Sequence, residues 1–380
     1  MMLRDAVVVS LKRTWPGVMT AQVTVDQAPE GATVFPPGET LGALAYTEVV
    51  GPLRVGARVR VEVSPLARRL GTGGNALVTA VISELPEDVP VPHNGHIVKA
   101  RYTPTQVMVS AVEEQDSPHH AVMEQATSLE GMPVIACDLH SQLPAAIAGI
   151  RMVKPDARVV YVLTDGAALP AAFSMAAARL LEVGWISDVV SCGQSFGGTL
   201  EAVSIPSGLL AARHVAEADV VVAAQGPGNA GTGTPFGFSG VDVAWALSSA
   251  AALGGAPIAA LRISAADARE RHRGISHHTT AAVGTLTPVP VAVPVPDLSG
   301  GSAIERDLAR DVPDLAEQAD QMAGSRHRVE SVDTHGLADA LEGCPVALRT
   351  MGRSLAEDAG PFLGAGAAGI YAAGLIGSPR

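Results

Sequence analysis

Two short segments place acid–base groups directly after apolar runs. Asp138 and His140 follow "PVIAC", and Asp165 follows "VVYVLT". A carboxylate or an imidazole in such a place can move a proton or hold a divalent metal, the chemistry of hydrolysis and group transfer. Gln194 and Ser195 come after a third run, "ISDVV". A fourth, "DVVVAA", opens into "QGPGNAGTGTPFGFSG" (225–240), with six glycines and no charged residue. Gly226, Gly228, Asn229, Gly231, Thr232, Gly233 and Thr234 are the candidate ligand-binding residues in it. Glycine lets backbone N–H groups approach a ligand closely. The threonines add hydroxyls, and the start of the next helix favours negative charge. The expectation is a cradle for an anionic or polar metabolite. A fifth run, "IAALR", leads to His272, His277 and His278 in "HRGISHH". They are placed to bind a divalent metal together with Asp138 or His140.

Each of these features also has a plain structural reading. Asp138 and Asp165 could cap the helices that follow them. The histidines could form a solvated turn, and the glycine segment a tight packing loop. "GPGNAG" formally matches the dinucleotide fingerprint, but Pro235, Gly237 and Gly240 postpone the helix that should open inside it. The acidic residue expected after the next strand is also missing, so a dinucleotide cofactor is disfavoured. A P-loop needs a lysine, and the only three, Lys12, Lys99 and Lys154, lie elsewhere. Cys137, Cys192 and Cys344 form neither a disulfide framework nor a CxxC metal site.

Five loops can share a site only if one scaffold delivers them to one edge. Residues 1–95 read as a small all-β domain, a barrel or sandwich. Its short strands alternate as in "ARVRVEV", and it ends in the proline-rich hinge "LPEDVPVPHNG" (85–95). Residues 96–380 read as an α/β domain, with apolar strands from "QVMVSAVEE" onward alternating with Ala/Leu-rich helices. That rhythm predicts a doubly wound, mostly parallel sheet with helices on both faces. Ser117 and Pro118 are expected to open the first helix, and the alternate prolines of "TPVPVAVPVPDL" to confine that run to an edge strand or connector.

Composition narrows the partners. With 47% hydrophobic and 17% charged residues the chain buries a large core. A net charge of −12 and a pI near 5.3 argue against nucleic acid. The C-terminal "FLGAGAAGIYAAGLI" is shorter than the roughly 20 apolar residues of a membrane span, so a buried helix is expected there and no membrane partner. A cytoplasmic location is expected.

Taken together, "GHIVKARYTPTQ", "LGTGG", "DLHSQLPA", "VVYVLTDGAALP", "GGTLEAV", "SGLLAA" and "GPGNAGTGTPFGFSG" resemble the bacterial family catalogued as domain of unknown function 3866. The resemblance runs over nearly the whole chain and implies one architecture, but no activity. From the residues themselves the leading expectation is a hydrolase or group transferase acting on a small anionic metabolite. Asp138, His140 and Asp165 would carry the chemistry, with a divalent metal as an optional cofactor. The rival readings are a non-catalytic ligand sensor using the same cleft and a structural assembly component. The oligomeric state stays open, a homo-oligomer included.

Overall fold

Val59, Val61 and Val63 are fully buried, while Arg58, Arg60 and Glu62 between them reach outward. This period of two makes a half-buried strand, and four others like it close the sheet. The computed structural model describes residues 1–71, 73–85 and 95–377, in two compact units, Met1–Val109 and Ser110–Arg380. In the first unit β1 (Leu3–Trp15), β2 (Val18–Gln27), β3 (Thr40–Tyr46), β4 (Arg58–Glu62) and β5 (Asn75–Val81) form a closed barrel of order β1-β2-β3-β5-β4. Closure removes the unpaired edges that a sandwich would leave. Arg60 and Asp5 form a paired hydrogen bond across β4 and β1 at 2.7 and 3.0 Å. The expected hinge falls, over residues 86–94, outside the described residues. Beyond it β6 (Ile97–Lys99) and β7 (Val107–Val109) pair antiparallel. "QVMV" therefore belongs to a hairpin of the first unit and does not open the parallel series.

The second unit carries the parallel sheet. Its strands are β8 (Pro133–Cys137), β9 (Val159–Thr164), β10 (Asp188–Ser191), β11 (Leu200–Glu201), β12 (Val220–Gln225) and β13 (Ala256–Ala259). A small hairpin follows, β14 (Ile263–Ser264) with β15 (Gly274–Ile275), and then β16 (Ala292–Asp297) and β17 (Arg328–Asp333) return to the sheet. The order is β11-β10-β9-β12-β8-β13-β16-β17, and every pairing is parallel. β8 and β9 connect toward one edge, and β11, β12 and β13 toward the other. Right-handed crossovers therefore place helix Leu143–Val153 on one face, with Gly360–Leu375 packed against it, and Ile205–His214 and Asp242–Ala252 on the opposite one. Among the described residues no helix is long and apolar enough to cross a membrane.

Two local expectations are corrected. β16 is an interior strand, paired along its whole length with β17 but with β13 only at Ile258 and Ala292. Residues two apart in a strand direct their backbone groups to the same side. Pro294 and Pro296 thus withhold their missing N–H groups from one neighbour, and the strand keeps its ladder with the other. The helix expected from Ser117 begins only at His120, with His119 before it and no side-chain cap. Ser117 Oγ instead accepts the N–H of His119 at 3.2 Å, closing a turn ahead of the helix.

The C-terminal apolar run is the buried helix Gly360–Leu375, packed on Leu143–Val153. Glycine permits the contact: a Cβ on Gly149 would overlap the carbonyl oxygen of Gly366, and one on Gly369 that of Ala146. Gly149→Ala should therefore lower stability by about 3 kcal/mol, the upper end of overpacking effects. Gly374→Ala, where nothing lies within 4 Å, should be neutral or stabilising by up to ~1 kcal/mol. Urea denaturation of the two variants checks this, and equal midpoints would contradict the close packing.

Candidate functional site

Four adjacent strands, β9, β12, β8 and β13, send their chains alternately to the two faces of the sheet. Such divergence opens a crevice beyond their carboxyl ends, and that is where the polar residues collect. Thr164 ends β9 and Asp165 follows it, Gln225 ends β12, Asp138 follows β8, and Arg262 lies just beyond β13. Gln225 links two of these ends, donating from Nε2 to the carbonyl of Asp138 at 2.8 Å. Ser195, after β10, is buried and donates to the carbonyl of Thr164 at 2.9 Å, tying its loop to the neighbouring one.

The centre of the crevice is a buried ion pair. Arg262 Nη1 donates to Asp138 Oδ2 at 3.5 Å, and both side chains are 4% exposed. The same Nη1 donates to His278 Nδ1 at 3.1 Å, and that nitrogen lies 3.8 Å from Asp138 Oδ2. Burial raises the Asp138 carboxyl above its usual range, against the opposing pull of Arg262. The histidine trio is not a solvated turn, since His272 and His278 are buried and His277 is half-buried. His278 stacks on Phe238 with ring centroids 3.8 Å apart and planes at 3°. Burial, then the charge of Arg262, depresses His278 to about 3 and His272 to about 4, so both rings are neutral near pH 7. Burial followed by the charge of Arg271 lowers His277 too. His272 Nδ1 is engaged by Ser276 Oγ at 2.8 Å.

The glycine-rich segment folds as a flap over this cluster and not as an open cradle. Gly231 bridges to Phe238 in antiparallel fashion, Thr232 N–H donates to the Gly237 carbonyl at 2.9 Å, and Ser239 N–H to Ala230 at 2.9 Å. Thr232 Oγ1 donates to the Gly237 carbonyl at 3.0 Å and lies 2.9 Å from Thr234 Oγ1, while Asn229 Oδ1 accepts from Ser239 Oγ. The hydroxyls expected to meet a ligand thus hold the flap together. Gly226 lies buried at its root. A Cβ on Gly231 would stand 3.6 Å from His278 Cε1, and one on Gly233 3.4 Å from Arg271 Nη2, so the flap lies against both residues. Gly228 adopts φ +99° with open space around it, which makes it a turn position and not a steric gate.

His140 and Asp165 do not join Asp138. Tyr161 donates its hydroxyl to the carbonyls of Ala224 and Gln225, both at 3.3 Å, and so accepts from His140 Nδ1 at 3.3 Å. His140 Nε2 then accepts from Ser174 Oγ at 2.7 Å. Burial holds the imidazole down to about 4, which makes it a neutral latch between β9 and the Met175–Glu182 helix. Asp165 is exposed and caps no following helix. Its Oδ2 accepts the N–H of Gln194 at 2.9 Å. Its charge acts on Asp242, at the first turn of Asp242–Ala252, whose carboxyl accepts from Thr164 Oγ1 at 3.2 Å. Burial, and to a smaller degree the charge of Asp165, raises Asp242. Asp242, Arg262 and Arg271 are the residues that motif reading passed over. Only Arg262 left a signal, as a lone cation inside the apolar run "IAALRIS", where a buried charge demands a partner.

A second ionic network supports the histidine segment from behind. Asp267 accepts from Arg269 at 2.9 and 3.0 Å and from Arg353 at 3.3 Å, and Arg353 also reaches Asp358, which accepts from Ser264 Oγ at 2.6 Å. The Arg269 hydrogen bonds hold the Asp267 carboxyl well below the usual range. A depressed carboxyl stabilises the fold above its unfolded value, about 3.9, and loses that contribution as pH falls further. Asp267→Asn should therefore be less stable than wild type at pH 7, yet lose less stability between pH ~4 and pH ~2. Urea midpoints across that range check it. Arg262→Met, which strands a buried carboxylate, should cost about 3–5 kcal/mol. Adding Asp138→Leu should restore part of that loss, and strictly additive losses in the double variant would mean the two residues do not interact.

A family profile described as "Protein of unknown function (DUF3866)" matches residues 42–369. No curated protein and no solved structure matches the chain. The matched span runs from β3 into the Gly360–Leu375 helix, and the chain belongs to the DUF3866 family.

Proposed function

We propose that the protein is a cytoplasmic hydrolase or group transferase acting on a small anionic metabolite bound in the crevice beneath the 226–240 flap. One observation carries the reading. Asp138 Oδ1, Gln225 Oε1 and His277 Nε2 are buried and make no hydrogen bond within the protein; Gln225 bonds the Asp138 carbonyl, and the His277 ring meets His278, whose Nδ1 faces Asp138. Unsatisfied buried polar atoms are rare in folded proteins and call for a specific explanation; a polar ligand supplies one.

The surrounding charges fit an anion. Arg271 stands exposed beside the flap tip at Gly233, and Arg262 lies at the buried base. Asp165 and Asp242 are the acid–base candidates. Asp165 is exposed, and the Asp242 carboxyl is raised by burial and then by the charge of Asp165, so the two stand in different surroundings in which acid and base roles can be divided. The role expected of His140 passes to positioning, since both its ring nitrogens are engaged. Three cysteines without a disulfide among them suit a reducing compartment. The sensor reading draws on the bond from Gln194 to Asp165, which already occupies one carboxylate oxygen.

A thermal-shift panel of sugar phosphates, nucleotides, carboxylates and acyl esters tests binding. A ligand at about 100 times its dissociation constant should stabilise the fold by roughly 2.7 kcal/mol. Gly231→Val, whose side chain would enter between flap and His278, should abolish the shift while leaving the unliganded protein folded. Asp165→Asn should keep binding and lower turnover of the shifting compound by about 100-fold or more. Binding with no turnover by wild type would favour the sensor, and the absence of any shift across the panel would defeat both readings.

A further inference from the structure

Three imidazoles meet under the flap in a pattern that hydrogen bonding within the protein does not account for. The rings of His272, His277 and His278 lie pairwise with centroids 4.4 to 4.9 Å apart, and one nitrogen from each falls within 4.8 Å of the others. Two of them have their outer nitrogen fixed from behind. His272 Nδ1 meets Ser276 Oγ at 2.8 Å, and His278 Nδ1 faces Arg262 and Asp138. Their Nε2 atoms make no hydrogen bond among the described residues, and His277 Nε2 is buried without any partner. Metal-binding histidines donate their other N–H to an acceptor; Ser276 Oγ offers one to His272 Nδ1, and Asp138 Oδ2 stands 3.8 Å from His278 Nδ1.

We infer that His272, His277 and His278 form a three-histidine site for a borderline divalent cation of the Zn2+ class, with Asp138 as the positioning residue behind His278. Nitrogen ligands select Zn2+, Co2+ or Ni2+ over Mg2+ or Ca2+. Three protein ligands leave a fourth position open for water or a substrate oxygen. Gly231 stands nearest the Nε2 edge of His278, with only a hydrogen where a Cβ would lie 3.7 Å away. Arg262 donates to His278 Nδ1, so in this state the imidazole proton sits on Nε2. Loading the ion moves that proton to Nδ1, where Asp138 Oδ2, 3.8 Å away, is the nearest acceptor. The total proton count is unchanged; Arg262 gives up its hydrogen bond to His278 Nδ1 and keeps the one to the Asp138 carboxylate. The inference deepens the proposed function, because an anionic group reaching the crevice would meet the cation under the flap.

The test is Co2+ titration of the full-length, untagged, chelator-treated protein, followed by visible absorption, with Zn2+ competition for affinity. Wild type should take up one equivalent with tetrahedral d–d bands and release it to Zn2+. His277→Gln, at the least buried of the three positions, should weaken Zn2+ binding by at least about 100-fold, with its fold checked by circular dichroism. Asp138→Asn should weaken it by about 10–100-fold, the usual effect of losing an outer partner. Uptake below about a tenth of an equivalent by wild type, or binding by His277→Gln within twofold of wild type, overturns the site. Affinity within twofold in Asp138→Asn overturns the proton shift. Metal uptake with no response to the metabolite panel would support the site and remove the anionic-metabolite reading. Metabolite shifts without metal uptake would do the reverse.

Discussion

Asp138 and Arg262 are held together in a place that water does not reach, and the crevice is organised around that pair. Moving either charge out of water alone would cost several kcal/mol, so the ends of β8 and β13 must bring them side by side. The pair then sets its neighbourhood. Arg262 orients His278, the charge of Arg262 helps keep the surrounding imidazoles neutral, and Gln225 clamps the Asp138 backbone to the end of β12. A carboxylate with one oxygen on Arg262 and the other unbonded is a preorganised acceptor in a low-dielectric setting, where each such group counts for more than in water.

The flap illustrates why a glycine-rich loop should not be equated with a binding loop. Its Thr232, Thr234, Asn229 and Ser239 side chains and several of its amides bond to one another. What glycine permits here is close approach of a self-contained hairpin to the ring of His278 and the head of Arg271. The recognition groups lie beneath it, contributed by other strands. Behind them, the Asp267–Arg269–Arg353–Asp358 network ties the histidine segment to the chain just before the last helix, so the site rests on a rigid base.

Much of the scaffold was legible in local periodicity. The continuous apolar runs at 133–137, 159–164 and 220–225 are fully buried strands, as their composition demands in a sheet covered on both faces. The short apolar–charged alternation of the first 81 residues became a barrel. Errors arose where one residue type stood for a rule. Prolines at alternate positions were compatible with an interior strand because they face one neighbour only. Ser117 closed a turn and not a helix. The grouping of polar loops at one edge was readable because every strand in the series runs the same way.

Chain-local pattern thus determined the alternation of strands and helices, the buried glycine-rich C-terminal helix, and the five loops that leave one edge of the sheet. It carried no information on which of those loops touch. Arg262 and Asp138 are 124 residues apart, and their contact depends on β13 pairing with β8. The separation of Asp165 from Asp138 follows from β12 lying between β8 and β9, while His140, two residues beyond Asp138, turns to Tyr161 and Ser174. Strand order is set by crossover handedness and by the packing of helices over the whole sheet. No window of neighbouring residues contains that, and the partners in the crevice were decided at that level.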